Sequence, residues 1–117
     1  MNTQSQGTGN NRVMGKVALI TGGASGLGAA SALLMAENGA SVMVTDMNLD
    51  GAQAVADEIN GTCGEGRAIA AELNVTDEAQ WIAAVDKTVE TFGYLDILLN
   101  SAGVGNMNDV ETETLEG

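Results

Sequence analysis

The sequence contains no histidine and no proline, a single cysteine, and 4 basic residues against 16 acidic ones. Each scarcity excludes something. Without histidine the chain lacks the side chain most used as a general base and as a zinc ligand. Cys63 has no second cysteine to bridge with, and it lies in the loop-like stretch Gly61-Thr62-Cys63-Gly64-Glu65-Gly66. Thiol catalysis, a metal centre and a disulfide framework are therefore not expected, and the cysteine usage fits a reducing compartment. Aromatic residues make up 3% of the chain, so its core must be built from Ala, Val, Leu, Ile and Met. The absence of proline leaves strands and helices uninterrupted, and the 16 glycines supply the turns. The formal net charge of −12 repels nucleic acid and anionic membranes. With a charged fraction of 17%, it is read as serving solubility rather than adaptation to salt. No apolar run approaches the roughly 20 residues that span a bilayer. The first residues lack the basic start and apolar centre of a secretory leader. The expectation is a cytoplasmic protein with a disordered tail over residues 1–11 and one domain over residues 12–117.

What is present is alternation. Lys16 to Thr21 is a continuous apolar run, the pattern of a parallel strand buried on both faces. Gly26 to Asn38 reads as a helix, with Leu27, Ala30, Leu33, Leu34 and Met35 as its apolar face and Gly39 as a left-handed stop. Ser41 to Thr45 reads as a second strand ended by Asp46. Asp50 to Asn60 reads as a second helix, with Ala54, Val55, Ala56 and Ile59 on its apolar side, followed by a flexible loop over Gly61 to Gly66. Arg67 to Leu73 reads as a third strand. Asp77 to Phe92 reads as a third helix capped by Thr76, with Trp81, Ile82, Val85, Val89 and Phe92 as its core stripe. Leu95 to Leu99 reads as a fourth strand, and Thr114 as the start of a further helix. Strands alternating with helices through right-handed crossovers give an α/β fold, a parallel sheet covered by helices on both faces.

In such a sheet ligands bind at the carboxyl ends of the strands. The residues standing there are Thr21-Gly22-Gly23-Ala24-Ser25-Gly26-Leu27-Gly28, then Asp46, Asn74-Val75, and Asn100 to Gly103. The first group is a glycine turn between a strand and a helix. Its unpaired N–H groups and the positive end of the helix dipole favour a phosphate. Gly22 permits the turn, Gly26 lets a pyrophosphate approach the backbone, and Gly28 lets the helix pack close to the sheet. Asp46 follows about 20 residues later, where a carboxylate accepts hydrogen bonds from ribose hydroxyls and repels a 2′-phosphate. Met47 and Asn48 beside it are not basic, nor is Ser25. The site therefore favours NAD over NADP. It lacks the Gly-Lys-Ser/Thr ending of a P-loop, so a phosphate-cleaving enzyme is disfavoured.

Thr21-Gly-Gly-Ala-Ser-Gly-Leu-Gly28 resembles the Thr-Gly-x-x-x-Gly-x-Gly cofactor motif of the short-chain dehydrogenase/reductase family. Asn100-Ser-Ala-Gly103 is similar to that family's Asn-Asn-Ala-Gly motif, with Ser101 for the second Asn. Asn74-Val75 resembles its Asp-Val pair at the adenine pocket, with Asn for Asp. The resemblance runs from about Arg12 to Gly117. It implies a Rossmann-type doubly wound sheet, of which this chain carries the first four strands in the order 3-2-1-4. It also implies an NAD site formed by Thr21, Gly22, Ser25, Gly26, Leu27, Gly28, Asp46, Met47, Asn74, Val75, Asn100, Ala102 and Gly103. Thr21 and Asn100 would tie strand ends together. The implied activity is hydride transfer between nicotinamide and an alcohol or ketone of small size, in a protein that forms homo-oligomers when whole.

The family's chemistry resembles acid–base work by a tyrosine whose pKa, ordinarily about 10, is lowered by a lysine four residues later. A serine and an asparagine complete that set. Here the one tyrosine, Tyr94, has Leu98 at the lysine's place, so no catalytic residue is assigned and Tyr94 reads as a turn or interface residue. The chain reads as the N-terminal, cofactor-binding half of a longer enzyme, inactive by itself. A stand-alone nucleotide-binding or interaction module without catalysis is the other reading. The two are separated by the encoding DNA. The expected outcome is a reading frame that continues past Gly117 and encodes Tyr-x-x-x-Lys; an immediate authentic stop codon would refute it.

Overall fold

Four parallel strands form the sheet, and the apolar runs of the two central ones are buried on both faces. The structure is a computed structural model that describes residues 13–101. In chain order the elements are β1 (Val17–Thr21), α1 (Gly26–Glu37), β2 (Ser41–Asp46), α2 (Leu49–Cys63), β3 (Ala68–Glu72), α3 (Glu78–Phe92) and β4 (Ile97–Asn100). The strands lie in the order β3-β2-β1-β4, as expected. The register sets Val17 opposite Ser41, Thr21 opposite Asn100, and Asp46 opposite Glu72. All five residues of β1 are buried. Alternate residues of a strand face opposite sides, so the sheet feeds two apolar clusters. Ile20, Val42 and Val44 pack with Ala32 and Ala36 of α1 and with Val55, Ala56 and Ile59 of α2. Leu19 and Met43 pack on the other face with Leu73 and Ala84, joined by Trp81 and Val85 of α3.

The helix faces differ from the sequence reading. The buried residues of α1 are Gly28, Ala32 and Ala36, whereas Leu27 is 75% exposed and Leu34 60% exposed. Apolar residues surround this helix almost evenly, so their periodicity does not mark the buried side. The row of smallest residues marks it, because a helix without bulk on that side approaches the sheet closely. In α3 the same rule places Ala84 and Thr88 inward, and the Thr88 hydroxyl is satisfied by the Ala84 carbonyl at 2.7 Å. Ile82 and Val89, expected in the core stripe, are exposed. Ile82 lines a shallow groove of about 240 Å³ with Trp81, Val85 and Asp86. In α2, Ala54 points outward and Ala52 is buried instead.

The ends of elements also carry corrections. Helix α2 continues through Gly61, Thr62 and Cys63, where a loop was expected. The Thr62 hydroxyl donates to the Glu58 carbonyl at 2.9 Å, and Gly64 N–H closes the last turn on Asn60. The cap of α3 is Asp77, not Thr76; the Asp77 carboxylate accepts the Gln80 N–H. Strand β4 starts after Asp96, whose carboxylate accepts the Val17 N–H at 2.9 Å. Gly39, with φ of 102°, turns the chain out of α1 as the sequence implies. The tail over residues 1–11 and the helix start at Thr114 lie outside the described residues. Among those described, no helix is long and apolar enough to cross a membrane.

Two side chains hold the amino end of the sheet. The Arg67 guanidinium donates to the carbonyls of Ala36 in the last turn of α1, of Ala40 after it and of Cys63 at the end of α2. A cation at helix C-termini meets the negative ends of their dipoles. Asn60 bridges α2 to β3: its Nδ2 donates to the Ala68 carbonyl, and its Oδ1 accepts the N–H groups of Arg67 and Ala68, each at 2.9 Å. Truncating it removes the partner of the Ala68 N–H and carbonyl and leaves the Arg67 N–H only its 3.3 Å bond to the Gly64 carbonyl. The Asn60→Ala variant should lose about 2 kcal/mol of stability, measured as a lower urea midpoint with an unchanged slope.

Candidate functional site

The carboxyl ends of β1, β2, β3 and β4 meet along one edge, and the strand order reverses between β1 and β4. The glycine turn stands over that edge. Gly22 has a φ of 64° and Gly26 a φ of 58°, both in the left-handed region that side chains disfavour. Gly23 N–H donates to the Thr45 carbonyl at 2.8 Å, which sews the turn to β2. A Cβ on Gly28 would lie 2.0 Å from the Gly22 carbonyl oxygen and 2.6 Å from Ser101 Oγ. Helix α1 therefore sits directly on the turn, and only glycine fits there. Ser25 precedes the helix in extended conformation and makes no side-chain capping bond. The N–H groups of a first helical turn have no partner inside the helix.

Asp46 is bound to this turn. Its Oδ2 accepts the Ala24 N–H at 3.0 Å, and its Oδ1 accepts the Asn48 N–H at 2.9 Å. The carboxylate is thus held against the turn, with acceptor capacity left on both oxygens. Beside it opens a cleft of about 230 Å³, lined by Gly22, Asp46, Met47, Leu73, Asn74, Val75 and Thr76. Its walls are fixed from behind. Asn74 Oδ1 accepts both the N–H and the hydroxyl of Thr76, Asn74 N–H donates to Gln80 Oε1, and the Trp81 indole donates to the Val75 carbonyl at 2.7 Å. Across β1, the Thr21 hydroxyl donates to Asn100 Oδ1 at 2.7 Å, and Ser101 Oγ donates to the Thr21 carbonyl at 2.6 Å.

The residues match a known family. A family model described as short chain dehydrogenase matches residues 16–116. The chain belongs to the short-chain dehydrogenase family. A curated relative, the 2,5-dichloro-2,5-cyclohexadiene-1,4-diol dehydrogenase of Sphingobium indicum, is 49% identical over 107 residues, covering 92% of this chain and 42% of its own. The cyclohexanol dehydrogenase of an Acinetobacter species is 44% identical over 109 residues, covering 92% and 43%. A solved 7α-hydroxysteroid dehydrogenase, complexed with NADH and 7-oxo glycochenodeoxycholic acid, aligns with a TM-score of 0.73 at 39% identity. That alignment covers 80% of this chain and 36% of the other. The chain thus spans less than half the length of these short-chain dehydrogenases.

Of the residues expected at the site, Gly22, Asp46, Met47, Asn74 and Val75 share the cleft. Thr21 and Asn100 pair as anticipated. Ser25, Gly26 and Leu27 are exposed on the turn beside it, and Ala102 and Gly103 lie outside the described residues. The sequence reading missed Leu73 and Thr76 in the cleft wall, and the Ala24 N–H on Asp46. The place of Leu73 at the end of an apolar run and the Asn-x-Thr spacing were available signals; a backbone N–H leaves none. Tyr94 donates its hydroxyl to the Gly15 carbonyl, just before β1. It stands at the amino edge of the sheet, opposite the cleft. Among the described residues no group of three or more His, Cys, Asp or Glu could hold a metal ion.

The two glycines separate space from conformation. A Cβ at Gly26 meets nothing within 4 Å, whereas one at Gly28 collides with backbone. Gly26→Ala should cost about 1 kcal/mol through its positive φ. Gly28→Ala should cost about 3 kcal/mol or more, since helix and turn must part. Urea unfolding of the two variants checks the ranking.

Proposed function

We propose that this chain is the dinucleotide-binding part of an NAD-dependent short-chain dehydrogenase. In this reading residues 12–117 form the cofactor domain and residues 1–11 a tail. The observation that carries it is the Asp46 carboxylate tied to the Ala24 N–H of the glycine turn. A diphosphate and a ribose hydroxyl pair are the two groups a nucleotide presents to an anion-favouring turn with a carboxylate beside it. The diphosphate belongs over Gly22, Ser25, Gly26 and Leu27, where open backbone and a helix N-terminus favour an anion. The ribose belongs on Asp46. The adenine belongs in the cleft between Met47 and Leu73-Asn74-Val75-Thr76, which offers apolar walls and few polar groups. The lining of that cleft carries no lysine or arginine to receive a 2′-phosphate. The fit favours NAD.

When bound, the nicotinamide supplies a hydride acceptor or donor. This chain's residues do the holding. Thr21, Asn100 and Ser101 fix β1 to β4 beneath the reacting end of the cofactor, and Ala102 and Gly103 are assigned to the same site from the sequence motif alone. The names of the relatives suggest a substrate class: a cyclic diol, cyclohexanol and hydroxysteroids all present a hydroxyl on a carbon skeleton. The complete protein is read as oxidising such an alcohol or reducing the ketone, as a cytoplasmic homo-oligomer.

Asp46→Ala tests the assignment in protein made from the complete reading frame. Losing hydrogen bonds to a charged acceptor should weaken NAD by about tenfold or more. NADP, freed from a facing carboxylate, should lose less or gain. An unchanged ratio of the two dissociation constants would remove Asp46 from the ribose site.

A further inference from the structure

Gly51 sits in the first turn of α2, and nothing about its own conformation calls for glycine. Its φ lies outside the left-handed range, and alanine is the better helix former. Its surroundings do call for it. A Cβ there would lie 2.9 Å from the Ala24 Cβ and 2.8 Å from Asn48 Nδ2. The Asn48 amide is the end of a side chain and can rotate away, with loss of the cap it makes through Oδ1 on the Gly51 N–H. The Ala24 Cβ is one bond from the backbone, so relieving that contact moves the turn itself. The displaced segment is the one whose N–H reaches Asp46 Oδ2 at 3.0 Å. The other Asp46 oxygen is held by the N–H of Asn48, the capping residue of the same helix. Both anchors of the carboxylate therefore depend on how closely α2 seats against the glycine turn.

We propose that Gly51 is a positioning residue for cofactor selectivity. Its missing side chain lets α2 press Ala24 and Asn48 onto Asp46 and fix the carboxylate where it distinguishes a 2′-hydroxyl from a 2′-phosphate. This rests on the reading of Asp46 as the ribose ligand. It adds that discrimination is set by a residue that touches no part of the cofactor.

The test measures dissociation constants for NAD and NADP, with thermal unfolding alongside, in protein from the complete reading frame. Gly51→Ala should weaken NAD by about tenfold, change NADP by less than about threefold, and so narrow the ratio. The double variant Gly51→Ala with Ala24→Gly removes the Cβ on the other side of the contact and should restore most of the ratio. If the single variant does not fold, the double variant carries the test: a ratio near that of the unsubstituted protein supports the proposal, and a narrowed one overturns it. A narrowed ratio in the single variant that Ala24→Gly leaves unrepaired assigns the effect to general helix distortion and also overturns it. An unchanged ratio in Gly51→Ala, with Asp46→Ala still narrowing it, overturns this proposal and leaves the ribose assignment standing. If Asp46→Ala also leaves the ratio unchanged, the underlying reading fails with it.

Discussion

The contact between Gly28 and the Gly22 carbonyl is the constraint on which the site depends. With no side chain between them, α1 lies against the turn that follows β1. The same closeness places Ser101 Oγ beside Gly28 and on the Thr21 carbonyl. Helix, central strand and edge strand are therefore tied at one point, through one missing methyl group. Bulk introduced there does not merely crowd a core. It separates the helix N-terminus from the strand ends it is meant to serve.

Electrostatics makes this arrangement necessary. A chain with a formal charge of −12 has little cation to spare for an anionic ligand. The Arg67 guanidinium is spent at the amino end of the sheet, on three backbone carbonyls around the ends of α1 and α2. At the carboxyl end, positive potential has to come from oriented N–H groups and a helix dipole, which act over the length of about one turn. In the proposed reading close approach is then a condition of binding rather than a refinement of it. This accounts for glycine where the backbone must be bare, and for a carboxylate placed to one side of the turn, held by N–H groups rather than by a cation.

Much of this was legible in the residues. Val17-Ala-Leu-Ile20 and Val42-Met-Val44 read as buried parallel strands because both of their faces are covered. The glycine spacing and Asp46 read as a nucleotide site because a strand precedes the turn and a second strand delivers the acid. What escaped was set by distance rather than by pattern. Leu27 and Leu34 look like core residues, but Gly28, Ala32 and Ala36 form the inner face because the helix must come close. The end of α2 was read at Asn60, whose amide instead bridges to β3 while the helix runs on past it. The links from Ala24 and Asn48 to Asp46 are backbone donations, and a backbone N–H is the same at every position of a sequence except proline.

The bonds from Thr21 to Asn100 and from Ser101 to Thr21 join residues 79 and 80 positions apart. Contacts of such separation close a long loop, whose entropy is lost before the contact repays it. The same separation, 79 positions, holds between Val17 and Asp96 at the amino end, so both ends of the β1–β4 seam depend on the whole chain between them. In the proposed reading a nucleotide binds only the finished sheet, so it is a ligand of the native state and raises stability in proportion to the logarithm of its concentration. In that reading occupancy and folding of the described sheet are linked, and Thr21 stands at the seam between β1 and β4.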